Sequence, residues 1–167
     1  MTNVITRDKI DSYAQDNIIA FINNRSYIVD PRDKQGSGSR IFVYESDPYV
    51  KDPNYNLMPY IICEFPTIEM DKSSSDGKTK TLTWKHKLTV RTSREGQANF
   101  RGGKGRQDML DISDDLFGLF NSEARKQDFR DLNMFNFKLE KVSVDNSGDF
   151  YEAEFELTYD LRLQVSA

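Results

Sequence analysis

Apolar residues near the start of the chain recur at helical spacing. Ile10, Tyr13, Ala14, Asn17, Ile18, Phe21 and Ile22 stand at i, i+3, i+4, i+7, i+8, i+11 and i+12, predicting an amphipathic helix over about residues 7–23. Thr6 is placed to cap it, Asp8 lies in the first turn where the helix dipole favours an anion, and Asn23-Asn24 close it. Tyr27-Ile28-Val29 and Ile41–Tyr44 predict short strands, the first stopped by Asp30-Pro31. Tyr60–Met70 is an apolar, β-branched strand in which Pro66 marks an edge or a bulge. Its return strand alternates, with Leu82, Trp84, His86, Leu88 and Val90 on one face and Thr83, Lys85, Lys87, Thr89 and Arg91 on the other.

A second helix is predicted from about Gln107. Met109, Ile112, Leu116, Leu119 and Phe120 form its buried stripe, while Asp108, Asp111, Asp114 and Asp115 turn towards solvent. Ser122–Leu132 adds a short helix or turn. Phe135–Val144 and Tyr151–Val165 predict two terminal strands, the last alternating without a break. At fifteen residues that strand is long, and it is expected to run past its own sheet or to bend. Segments of about 31–40, 46–58, 71–78 and 94–106, rich in Gly, Pro, Ser and Asp, read as mobile loops. The order α β β β β α β β predicts a single α+β domain over residues 1–167. Its architecture is a mainly antiparallel β-sheet with long hairpins, flanked by two main α-helices.

Composition narrows the function. Among 167 residues, 37% are hydrophobic and 12% aromatic, enough for a core, and no apolar run approaches a membrane span. No basic segment followed by an apolar one opens the chain, so no secretory signal is read. The single cysteine excludes an intramolecular disulfide and suits a reducing compartment. Cys63 lies in an Ile-Ile-Cys-Glu-Phe strand as a small hydrophobe, and the single histidine, His86, is on the inward face beside Trp84 and Leu88; both are expected to be structural. Arg101-Gly102-Gly103-Lys104-Gly105 fits neither phosphate-loop pattern. Glu152, Glu154 and Glu156 line one strand face and Asp108, Asp111 and Asp115 one helix face, but a metal-dependent nuclease needs carboxylates converging from different elements with a lysine nearby. No enzymatic activity, cofactor or metal is expected.

The net charge of −4 conceals a division. Residues 72–106 carry net +8, and the rest of the chain −12. Such polarity suggests a matching partner. The cations Lys85, Lys87, Arg91, Arg94, Arg101, Lys104 and Arg106 and the anions Glu152, Glu154 and Glu156 are the candidate interface residues. Two arrangements fit them: head-to-tail contact between copies, closing into a ring, or neighbouring strands pairing inside one sheet. A nucleic-acid-binding module using the cations of 78–106 is an alternative, although only Phe100 interleaves with the loop cations and Trp84 is on the wrong face.

The layout resembles the tail-terminator (tail-completion) proteins of long-tailed bacteriophages. The features that carry the resemblance are the helix Ile10–Ile22, the hairpin strand Thr81-Leu82-Thr83-Trp84-Lys85-His86-Lys87-Leu88-Thr89-Val90, the basic glycine loop leading into the acidic helix Asp108–Phe120, and the final Glu-x-Glu-x-Glu strand. It spans nearly the whole chain, and the Pro-rich stretch 46–59 and the Ser-rich hairpin tip depart from it. The resemblance implies a virion protein, present in the host cytoplasm during assembly, that forms a hexameric ring on the head-proximal end of the tail tube. Its partners would be other copies of itself, the tube protein and a head-completion or neck protein, with passing contact to DNA in the lumen. No catalytic residues come with that family.

Overall fold

The computed structural model describes residues 4–6, 9–25, 41–46, 59–73, 79–93, 105–123, 126–145 and 150–166. Two long strands form its centre. β5 (Thr79–Ser93) and β7 (Phe150–Ser166) run antiparallel and pair over all 15 residues of β5, from Thr79 opposite Gln164 to Ser93 opposite Phe150. β3 (Tyr60–Cys63) and β4 (Thr67–Ser73) lie end to end along the other side of β5. The predicted Tyr60–Met70 strand is therefore broken at residues 64–66, where Pro66 has no N–H to give to the ladder. A bulge follows between Ile68 and Met70.

On the far side of β7 lies β6 (Met134–Asp145), and beyond Gln164 the place is taken by β1 (Val4–Thr6), parallel to β7. β2 (Phe42–Tyr44) completes the sheet, parallel to β3. The sheet is mixed and mostly antiparallel, and with its helices it is an α+β fold. The length of β7 is explained by the two partners that share its outer side.

α1 (Ile10–Ala20), which continues into a π turn at Phe21–Arg25, α2 (Gly105–Phe120) and α3 (Lys126–Arg130) supply the layer over one face of this sheet. Ile10, Ala14, Ile18, Phe21 and Ile22 meet Met109, Ile112, Leu116, Leu119 and Phe120 over the inward residues of β5 and β7. Every residue of the predicted α2 stripe is buried. Two expectations are corrected. Thr6 does not cap α1: it pairs with Ser166 in β1, and the helix starts after Lys9 with no side-chain cap. Asp108, expected in solvent, is buried in the first turn of α2, which begins at Gly105 rather than near Gln107. The predicted strand 27–29 and most of the predicted loops lie outside the described residues.

An aromatic cluster joins the helices to the start of β6. Phe129 of α3 packs edge-on against Phe21 at 4.6 Å between centroids and lies tilted against Phe137 at 4.2 Å, and Phe137 stacks on Tyr159 at 4.9 Å. Here the β6–β7 register shifts between Phe135 and Lys138. Asn136, in that bulge, has φ 58°, and Asn133 just before the strand has φ 59°. Asparagine tolerates this left-handed conformation better than most residues. Asn136 is held there by its Nδ2, which donates to Asp160 Oδ2 at 2.9 Å.

Candidate functional site

The charged rows meet on the face of the sheet opposite the helices. The β5–β7 register puts Arg91 opposite Glu152 and Lys87 opposite Glu156. Arg91 Nε donates to Glu152 Oε2 at 2.7 Å, and Nη1 reaches the Tyr60 hydroxyl at 3.4 Å. Lys87 Nζ lies 3.2 Å from Glu154, and Lys85 Nζ lies 3.6 Å from Glu156 and 3.7 Å from Glu69. The hydrogen bond to Glu154 raises the Lys87 pKa. Of the two arrangements the sequence allowed, the intrachain one is found: all six side chains that it could bring together are paired within one sheet. Alternation alone could not show this, because the pairing needs the register between strands about sixty residues apart.

The face is not uniformly polar. Tyr60, Ile62 and Thr89 are buried at its β3 end, and Tyr60 packs edge-on against Tyr44. The remaining candidates are not brought into this cluster. Arg94, Arg101 and Lys104 lie outside the described residues, as does the side chain of Arg106 in the first turn of α2.

On the inner face, His86 and Cys63 belong to one buried network. His86 Nδ1 is 3.1 Å from the Glu64 carbonyl oxygen and 3.8 Å from Cys63 Sγ; Nε2 is 2.7 Å from the Tyr159 hydroxyl. A carbonyl only accepts, which assigns the proton to Nδ1 and makes the Tyr159 O–H the donor to Nε2. Burial lowers the His86 pKa to about 4, so the ring is neutral, and burial pushes the Cys63 thiol and the Tyr159 phenol up. Gln15 of α1 closes the network, its Nε2 donating to the Cys63 carbonyl at 2.6 Å. A nucleophilic cysteine needs a lowered pKa and access to solvent, and Cys63 has neither.

Gln15 and Tyr159 were not singled out in the sequence. For Gln15 the only hint is a glutamine between Ala14 and Ile18, and the helical stripe assigns that place to Asn17, which is half-buried; Tyr159 stands among the inward residues of the last alternating strand. Neither a protein-family model nor a curated protein matches this sequence.

Proposed function

We propose that the chain is a structural, non-enzymatic subunit of a ring, a hexameric tail terminator that caps the head-proximal end of a phage tail tube, ends tube growth and presents a surface to the neck. One observation carries the ring part of the reading: the sheet offers two different edges on opposite sides. β4 is outermost on one side and β6 on the other, and among the described residues neither has a second partner strand. Both edge regions show large apolar side chains, Phe65 (52% exposed) and Ile68 (52%) at one and Val142 (54%) and Val144 (42%) at the other. Head-to-tail association requires two such unlike surfaces on one subunit, and rotational closure makes it a ring. A neighbour could use Lys85, Lys87 or Arg91 only by breaking pairs already made, so the contact in this reading falls on the edges.

The resemblance of the sequence layout to tail terminators supports the location, and the sealed His86–Cys63 pair supports a role without catalysis. The internal ion pairs of Lys85, Lys87 and Arg91 weigh against the nucleic-acid alternative, since glutamates already neutralise these three cations of the 78–106 segment.

Mass in solution at several concentrations, followed by negative-stain imaging, tests the reading. Rings with a central hole that bind assembled tail tubes are expected. A protein monomeric at every concentration that also ignores tail tubes would falsify it. Affinity for DNA that falls steeply with salt and disappears on charge reversal of Arg94, Arg101, Lys104 and Arg106 would favour the alternative instead.

A further inference from the structure

The second half of β6 stands apart from the rest of the sheet. Every residue from Glu140 to Asp145 is exposed, so both faces of this stretch meet solvent, and its only neighbouring strand among the described residues is β7. Val142 is the extra residue of the bulge between Lys141 and Ser143 and has no counterpart on β7. Edge strands are ordinarily shielded by charge, brevity or a covering element, yet here two β-branched side chains lie open between one cation and one anion. The run Lys141-Val142-Ser143-Val144-Asp145 is complementary to itself when reversed. Laid antiparallel on a second copy about Ser143, it sets Lys141 opposite Asp145, Val142 opposite Val144 and Ser143 opposite Ser143. Glu140, the other carboxylate of the stretch, is already held by Lys138 at 2.9 Å.

We propose that two copies of the chain associate through this strand, β6 on β6 antiparallel about a two-fold axis at Ser143, into a dimer that precedes ring assembly. An isologous contact uses one surface twice, so its sequence must match its own reverse. Here each dimer gains two Lys141–Asp145 pairs and two Val142–Val144 pairs, with no like charges opposed, and the sheet runs on from one copy into the other. Charge and apolar complementarity together select a second copy over a foreign strand. The dimer also restrains assembly. Head-to-tail closure needs the β6 edge of each subunit free for the β4 edge of the next, so a β6–β6 dimer enters a ring only after it dissociates. That restraint rests on the ring reading, whereas the dimer contact does not.

Cross-linking of Ser143→Cys in the full chain tests it. Directly opposed residues of antiparallel strands have Cα atoms about 4.5–5.5 Å apart, within disulfide reach. The native Cys63 is buried, so mild oxidation should turn the variant, and not the wild type, into a covalent dimer. Lys141→Asp or Asp145→Lys, added singly, opposes like charges twice in each dimer and should slow cross-linking about tenfold, and the two together should restore the rate. All three positions are exposed, so circular dichroism should show folded variants. The cross-linked dimer should form no rings, and reduction should allow them. No covalent dimer, single reversals without effect, or a double reversal that fails to restore the rate would overturn the dimer. A cross-linked dimer that still assembles into rings would overturn the restraint. Rings without cross-linking at Ser143 would sink this inference alone, and cross-linking in a chain that forms no rings when reduced would sink the ring reading alone.

Discussion

His86 shows how one residue's setting determines its chemistry. The unfolded chain takes up a proton at about 6.5, whereas the folded chain resists until about 4, because burial of the ring disfavours its charged form by more than the hydrogen bond to the Glu64 carbonyl favours it. The stability that this depressed pKa confers is therefore complete above 6.5 and is lost as pH falls towards 4. The gap corresponds to about 3 kcal/mol. Denaturant midpoints measured from pH 7 down to 4 should show this slope, and His86→Gln should flatten it. Tyr159→Phe removes the hydroxyl donor and leaves Nε2 an unfilled buried acceptor, with an expected loss of about 1–3 kcal/mol in urea unfolding at pH 7.

Among the elements, the β5–β7 ladder has a graded electrostatic content. The Arg91–Glu152 side chains are only 12% and 18% exposed, and the pair is a short hydrogen-bonded one. Lys87–Glu154, at 52% and 29%, is open to water and salt. Arg91→Ala should destabilise by about 2 kcal/mol, since it strands a half-buried carboxylate. Lys87→Ala should change stability by less than about 1 kcal/mol. A double-mutant cycle with Glu152→Ala and Glu154→Ala measures both couplings. In the opposing layer, Leu116→Ala opens a cavity under α2 and should cost about 2–5 kcal/mol, read from the thermal midpoint.

For the whole molecule, the two sheet edges are the test of assembly. Ile68→Lys and Val142→Lys replace exposed side chains, so each should alter monomer stability by less than about 0.5 kcal/mol. Each should nevertheless shift the mass distribution towards monomer in analytical ultracentrifugation, because a ring uses both edges at every contact. Variants that lower stability and leave association unchanged would remove the edges from the interface.

Much of the architecture was legible because it rests on local periodicity. The 3.6-residue stripe of α2 and the two-residue alternation of β5 and β7 dictate which side chains face inward wherever those elements dock, and each stripe residue of α2 and each inward residue from Leu82 to Val90 is buried. Segment charge, the single histidine and the single cysteine were likewise complete in the sequence. What depends on distant partners was not legible. Thr6 has the chemistry of a cap but pairs with Ser166, because the overhanging end of β7 offers backbone groups that a three-residue strand can meet. Asp108 is buried by packing that its own helix does not specify. The cationic and anionic rows were visible as rows, yet only the register of β5 on β7 decided that they neutralise each other. The left-handed Asn136 likewise sits in a bulge, an interruption of periodicity. Alternation states which way a side chain points; which side chain it meets is set by the tertiary register, in contacts between residues far apart in the chain.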